Sequence, residues 1–275
     1  MDNETSKFWN RELADILNRI KDHDTLQRLE STLRRVTPFD ISVAFAYPDG
    51  RAPILLYNGL NNTSQQSVLD AYMRGTYLLD PFYLACSNQI LPGLYRMSSL
   101  APDEFFSSEY YHSPSVHPCI SMESGSLTEE IGYFVPLHDG SMAAFSLMRS
   151  NGSEPFSEHE FSRLLAIEPM VRHVLSRHWQ SVPSPHNSVS SNIWAIQGEA
   201  MELAFDRFAA DLLTRRQRLI VQLILRGHSN LSVGLRLGIT EGTAKIHRKA
   251  IYDRLGISSQ SELFSMFINF LVLPT

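Results

Sequence analysis

Between Thr214 and Gly256 the chain is punctuated three times in the same way: a residue with a hydroxyl or amide side chain, a stretch of helical hydrophobic period, then a glycine. Thr214 precedes RRQRLIVQLILR and Gly227 follows it. Ser229 or Asn230 opens LSVGLRL before Gly238, and Thr240 opens EGTAKIHRKAIYDRL before Gly256. Such side chains favour a helix start because their oxygens accept the free N–H groups of the first turn; glycine favours the stop because it takes a left-handed backbone without cost. Gln217 stands three residues after Thr214, the spacing of a capping box. Ser258 or Ser259 opens a fourth segment, QSELFSMFINFL, with Glu262 three residues past Ser259. Helices this short are marginal in water, so they must share a core. The sequence therefore predicts an all-α four-helix domain over residues 212–275, its middle pair joined by the tight glycine turn of a helix-turn-helix.

The third segment explains what that domain is for. Ala244, His247, Ile251 and Leu255 form one stripe suited to burial, while Lys245, Ile246, Lys249 and Asp253 fall on a different face. Two lysines one turn apart suit a major groove, where lysine reaches guanine acceptors. Arg215, Arg216, Arg236 and Arg248 suit phosphate oxygens, and Ser229 and Thr243 add hydroxyls and helix N-terminal N–H groups. Charge is divided accordingly. Residues 212–275 carry nine Lys/Arg against three Asp/Glu, a net of +6, and the remainder of this −5 chain carries −11. Only one end is built for a polyanion. On charge alone, a solvated basic face on an ordinary helical hairpin fits as well; the spacing is what separates the two.

Over some 60 residues, LLTRRQRLIVQLILRGHSNLSVGLRLGITEGTAKIHRKAIYDRLGISSQSELF resembles the C-terminal DNA-binding domain of the LuxR family. The family pattern is matched at Leu213, Thr214, Arg216, Gly227, Ser229, Asn230, Leu237, Gly238, Glu241, Thr243, Lys245, His247, Leu255 and Gly256. It departs at Gln217 for glutamate, Gly234 for alanine, Ala244 for valine and Arg254 for lysine. The resemblance implies a recognition helix from about Thr240 to Leu255, with Lys245, Ile246 and Lys249 at base-reading positions. Arg216, Ser229, Asn230, Thr240, Thr243 and Arg248 complete the DNA-binding candidates. It also implies a homodimer on double-stranded operator DNA, with RNA polymerase as a further partner. The last helix sits where family members dimerise. Its Leu263, Phe264, Phe267, Ile268 and Leu271 form an apolar stripe that a small domain is expected not to bury alone.

The first 180 residues read as an α+β unit. Lys7–Val36 is helical in period; FDISVAFAYPDGRAPILLYN is a hairpin around Pro48-Asp49-Gly50; Ser64–Tyr83 is helical again. PDEFFSSEYY suggests a short helix with Asp103 near its start. A second hairpin turns at His138-Asp139-Gly140, and a long helix begins at the capping-box pair Ser157 and Glu160, with Pro169 as a kink. This order predicts an antiparallel sheet flanked by helices, of the PAS or GAF type, which usually encloses a cavity. The Ser/Pro-rich stretch from Ser181 to Asn192 reads as a linker, placed with a following helical segment (Trp194–Ala210) at residues 181–211.

AYMRGTYLLDPFY resembles the Asp-Pro segment of the acyl-homoserine-lactone-binding domains of quorum-sensing LuxR receptors, at Asp80 and Pro81, with Tyr95 as the following aromatic. The tryptophan those domains carry upstream is absent here. The resemblance implies a pocket role for Asp80. In chemical terms, a carboxylate among Tyr57, Tyr72, Tyr77, Phe82, Tyr83 and Tyr95 can grip an amine or amide N–H of a small effector in an apolar cavity. The competing reading is a turn aspartate before Pro81 amid core tyrosines. His112, His117 and Cys119 lack a fourth ligand by spacing, which favours a surface loop over a metal site. No nucleophile elbow, phosphate-binding loop or receiver-type acidic pair occurs, so no enzyme and no cofactor is expected. Two cysteines, Cys86 and Cys119, a polar N-terminus and no apolar run of membrane-spanning length predict a cytoplasmic protein. The whole reads as an effector-controlled transcriptional regulator, activation being the commoner mode of the family it resembles. The alternative is a ligand-independent DNA-binding regulator with a vestigial or protein-interaction N-terminal domain.

Overall fold

Strand β1 (Ile41–Tyr47) is buried throughout, and its side chains alternate between two cores. Ile41, Val43, Phe45 and Tyr47 point to one face, Ala44 and Ala46 to the other. In the computed structural model β1 lies within a five-stranded antiparallel sheet of order β2-β1-β5-β4-β3, with β2 at Ile54–Asn58, β3 at Gly93–Arg96, β4 at Leu127–Pro136 and β5 at Met142–Ser150. Both expected hairpins form: β1 pairs β2, and β4 pairs β5 in a register running from Leu127↔Ser150 to Pro136↔Met142. The structure describes residues 3–48, 51–60, 69–70, 72–73, 75–107, 127–181 and 205–272. Asp49 and Gly50 of the first turn, His112, His117 and Cys119, and residues 182–204 of the linker region, Trp194 among them, lie outside the described residues.

The outer face of the sheet is covered by helices α1 (Asn3–Asn18) and α2 (Thr25–Val36). Trp9, Leu13, Ile16, Leu26, Leu29 and Leu33 from these helices are buried against Ile131, Tyr133, Phe145 and Leu147. The inner face carries the Thr76–Leu79 3₁₀ turn and α3 (Pro81–Ser87), followed after β3 by the short α4 (Met97–Leu100). The predicted run from Ser64 to Tyr83 is thus broken by the 3₁₀ turn. In the first half of PDEFFSSEYY, where a helix was expected, residues 103–107 form turns, so Asp103 caps no helix there; residues 108–111 lie outside the described residues. After the sheet come α5 (Glu158–Ala166), opened by the full Ser157–Glu160 capping box, and α6 (Glu168–Ser181), the break falling beside Pro169.

The four expected C-terminal helices all form: α7 (Arg215–Leu225), α8 (Asn230–Leu237), α9 (Glu241–Leu255) and α10 (Gln260–Val272). Thr214 and Gln217 complete a capping box, Ser229 caps α8, Thr240 caps α9, and Gly238 and Gly256 end α8 and α9 in the left-handed conformation. Before α10 the reciprocal bond shifts by one residue. Ser259 Oγ accepts from the Glu262 N–H (3.1 Å), while the Glu262 carboxylate accepts from the Ser258 N–H (2.6 Å).

One expectation fails here. Leu263, Phe264 and Phe267 of α10 are buried within this chain: Phe205, placed by sequence in the linker, stacks on Phe267, and Phe208 meets it edge-on. The Phe205 and Phe208 rings lie 4.5 and 5.3 Å from that of Phe267. The side chains of Ile268 and Leu271 lie outside the described residues.

Candidate nucleic-acid interface and buried acid cluster

Helix α9 divides as its sequence requires. Ala244 and Ile251 are buried, His247 and Leu255 half-buried, and Lys245, Ile246 and Lys249 exposed. Ile246 is 70% exposed, an apolar side chain presented beside the exposed Lys245 and Lys249. Lys245 pairs with Glu241 one turn back, Nζ to Oε1 at 2.6 Å, on the surface where such pairs are readily exchanged. Thr240 Oγ1 accepts from the Thr243 N–H (3.1 Å) and bonds the Thr243 hydroxyl (2.8 Å), which fixes the first turn of the helix.

Two of the predicted phosphate clamps also hold the fold. Arg248 is half-buried: its Nε donates to the Tyr252 hydroxyl (3.1 Å) and its Nη2 to Gln260 Oε1 (3.2 Å), tying α9 to α10. Arg216 donates from Nη2 to the Leu237 carbonyl (2.8 Å), tying α7 to the end of α8. Gly234, unfavourable in a helix by about 1 kcal/mol against alanine, sits where the chain turns from α8 into α9. A Cβ there would lie 2.8 Å from the Ile239 carbonyl oxygen, so the missing side chain permits the tight turn.

Ser229 and Asn230, at the start of α8, are half-buried. Ser229 Oγ accepts from the Ser232 N–H (3.1 Å), and the Ser229 N–H donates to Asp103 Oδ1 of the N-terminal domain (3.0 Å). Around this bond the Glu104 N–H donates to the Gly227 carbonyl (3.0 Å), and Arg226 Nε donates to the Leu78 carbonyl (3.3 Å). Beside it a cleft of about 820 Å³ opens between α3 and α8. His228 is buried there, with Nδ1 2.8 Å from Ser232 Oγ; burial and the neighbouring Arg236 hold its pKa down at about 4.

In the N-terminal domain Tyr72, Tyr77, Asp80 and Phe82 are gathered in the inner core. Asp80 is the N-cap of α3, with Oδ1 accepting from the Phe82 N–H (2.8 Å). Its Oδ2 accepts from the Tyr72 hydroxyl (2.5 Å), which in turn lies 2.8 Å from the Tyr47 hydroxyl. Asp80 is therefore both the turn aspartate of one reading and the head of a buried polar chain. Burial pushes its pKa up to about 6, although the bonds from Tyr72 and the α3 backbone act in the opposite direction. Glu130 on β4 is buried on the same side; burial, and then the charge of Asp80, push its carboxyl well above the ordinary range. Tyr95 packs its ring 5.5 Å from Phe134 and donates its hydroxyl to the Leu91 carbonyl (3.1 Å).

Tyr57 is not brought to this cluster. It sits opposite Ala44 in the β1–β2 ladder and packs against Phe145 (6.0 Å) on the outer face. A register shift between Ala44 and Phe45 sets which residues of β2 face inward, and Leu55 takes the inner position. Sequence reasoning missed Tyr47 and Glu130, whose signal was alternation along β1 and β4, and Asp103, whose partner lies in the other domain. Among the described residues no group of three or more His, Cys, Asp or Glu is placed to hold a metal, and no helix is long and apolar enough to cross a membrane.

Residues 211–267 match the family model of bacterial regulatory proteins, luxR family. Over 194 residues the chain is 29% identical to an HTH-type transcriptional regulator in the exeN 3′ region of Aeromonas salmonicida, covering 70% of this chain and 95% of that one. It is 41% identical over 69 residues to the transcriptional regulatory protein MctR of Rhizobium johnstonii, 25% of this chain and 30% of that one. Among solved structures the VqsR LBD domain of Pseudomonas aeruginosa is similar in fold, with a TM-score of 0.52 at 22% identity over 64% of this chain and 98% of that domain. With its caps, its exposed basic helix and the matched segment 211–267, the C-terminal unit is a DNA-binding domain of the luxR type, and the relatives that the chain matches are transcriptional regulators.

Proposed function

We propose that this regulator binds a two-fold operator as a homodimer and is controlled by a small effector held on the inner face of its N-terminal sheet. Lys245, Ile246 and Lys249 read bases, while Arg216, Ser229, Asn230, Thr240, Thr243 and Arg248 hold the phosphate backbone. The observation that carries the DNA-reading part is Ile246, 70% exposed between two exposed lysines on a helix otherwise anchored by buried Ala244 and Ile251. An apolar side chain there suits contact with a thymine methyl. Effector binding beside Asp80 shifts the placement of the domains and so the affinity for DNA, and the bound dimer activates transcription with RNA polymerase.

The effector part is supported by the buried Tyr47–Tyr72–Asp80 chain and by likeness of fold to a domain described as an LBD. The test is selection of the preferred duplex from a random library, followed by titration of Lys249→Ala. Loss of specific over non-specific affinity is expected; unchanged preference would remove α9 from base readout.

A second reading is favoured by the completeness of the Asp80 bonds. Its two oxygens already accept from Tyr72 and Phe82, which suits a closed core and a regulator independent of ligand. A thermal-shift screen of amines, amino-acid derivatives and acyl-homoserine lactones separates the two. A hit abolished by Asp80→Ala supports the effector; silence across those classes supports the closed core.

A further inference from the structure

Helix α8 carries two leucines on its surface. Leu231 and Leu235 stand one turn apart, 54% and 77% exposed, beside the exposed Arg236. With Arg226 and His228 they form one wall of the cleft of about 820 Å³ between the domains. The facing wall presents Leu84 of α3, Ile90 just past it and Leu100 of α4, each half-buried. The volume falls within the range of small-molecule sites, about 300 to 1,000 Å³, and apolar walls with a few charged groups are their usual lining. We propose that this cleft binds an amphipathic monocarboxylate, with its apolar tail between the leucines of α8 and those of α3 and α4 and its carboxylate on Arg226 and Arg236.

The charge of the lining selects the head group. Arg226 and Arg236 against Asp103 leave a net of +1, which a single anionic charge neutralises. Asp103 is already engaged, since its Oδ1 accepts from the Ser229 N–H (3.0 Å). His228 adds no charge at neutral pH, because burial, then Arg236, hold its pKa at about 4; Arg226 acts on the same ring, so both guanidiniums lie near one buried residue. The planar fork of a guanidinium matches the two oxygens of a carboxylate, whereas an amine would meet two cations. Arg226 is held in place, with Nε donating to the Leu78 carbonyl (3.3 Å) and Cζ 5.4 Å from the centre of the Phe205 ring. Among the described residues Arg236 has no ion pair.

The walls are set before a ligand arrives. The Glu104 N–H donates to the Gly227 carbonyl (3.0 Å), and the Arg226 bond adds a second tie, so little ordering is left to binding. The site is separate from the effector position proposed beside Asp80, whose carboxylate is bonded inside the inner core. Either can fail without the other.

The experiment is calorimetric titration of the full chain with decanoate below its micelle concentration. Decylamine keeps the tail and inverts the charge; acetate keeps the head and lacks the tail. Decanoate is expected to bind, with both controls at least about tenfold weaker. Arg236→Gln and Leu235→Gln alter exposed side chains and so spare the fold; each should weaken decanoate about three- to tenfold. Arg177→Gln removes an exposed arginine from α6, a helix of the outer core, and should change the affinity by less than about twofold. No binding of decanoate, either control as tight as decanoate, unaltered affinity in either cleft variant, or an equal loss in Arg177→Gln overturns the proposal. Photolabelling of the unaltered chain with a diazirine-bearing decanoate needs no variant. Label on residues 84–90 and 231–236 is expected. Label absent from both segments overturns the proposal, and label on β1 and β4 instead would assign the carboxylate to the inner core.

Discussion

The rings of Phe205 and Phe267 stack at 4.5 Å with their planes 23° apart, so a residue ahead of the first helix of the DNA-binding domain seals its last helix. Phe267 is fully buried, and Phe267→Ala should destabilise the domain by about 3 to 5 kcal/mol. A fragment starting at residue 212 leaves the α10 face bare and should associate or melt early, whereas one that retains Phe205 and Phe208 should not. Thermal unfolding and sedimentation of the two fragments decide the matter; identical behaviour would show the two phenylalanines to be dispensable.

Burial gives Asp80 a proton affinity in the folded chain, about 6, above that of an unfolded aspartate. A group raised in this way stabilises the fold fully below its unfolded pKa of about 4, and that contribution is lost as pH rises through about 6. The dependence should vanish in Asp80→Asn, which keeps an acceptor for the Phe82 N–H. Melting temperatures of the parent and the variant between these two pH values are the comparison. Parallel curves would show that Asp80 does not titrate in this window.

His228 has the opposite sign. Burial, then Arg236, hold it near 4 in the folded chain, so the unfolded chain takes up a proton first as pH falls. Stability linked to His228 is present above about 6.5 and is lost as pH falls toward 4. His228→Gln should flatten the acid limb of the stability curve, while the Asp80 variant steepens it. A variant curve superimposed on the parent would assign the acid sensitivity to other groups.

Arg248 and Lys249 are adjacent, yet their substitutions should separate. Arg248→Ala removes bonds to Tyr252 and Gln260 and should cost about 1 kcal/mol of stability as well as DNA affinity. Lys249 is exposed, so Lys249→Ala should leave the melting temperature nearly unchanged while weakening a preferred duplex by about 1 to 3 kcal/mol. Denaturation and DNA titration on both variants test this; a large loss of stability in Lys249→Ala would contradict it.

The helix-turn-helix was legible because its signals are local. Thr214, Ser229, Thr240, Gly238 and Gly256 act on backbone groups within a few residues of themselves. The two hairpins were legible for the same reason, through alternation. What escaped depended on distant partners. Asp103 reads as a cap for the residues that follow it, but those form turns and its acceptor is used by Ser229. Phe205 and Phe208 read as linker because the stripe they cover begins some 55 residues later. Tyr57 reads as an inward tyrosine, and an extra residue of β2 at Leu56, where Ala44 faces Tyr57 and Phe45 faces Leu55, puts it on the outer face.

The two faces of the sheet differ in reach. The outer core is confined to the N-terminal domain, from Trp9 to Trp179. The inner core runs without interruption from Ile41 through Phe82 and Phe105 to Ile224, Val233 and Phe267, so one hydrophobic body spans both functional units. Heat should then melt the chain in one cooperative transition, and a disturbance on the inner face should be felt as a change in the melting of the DNA-binding helices. The same disturbance on the outer face has no such route.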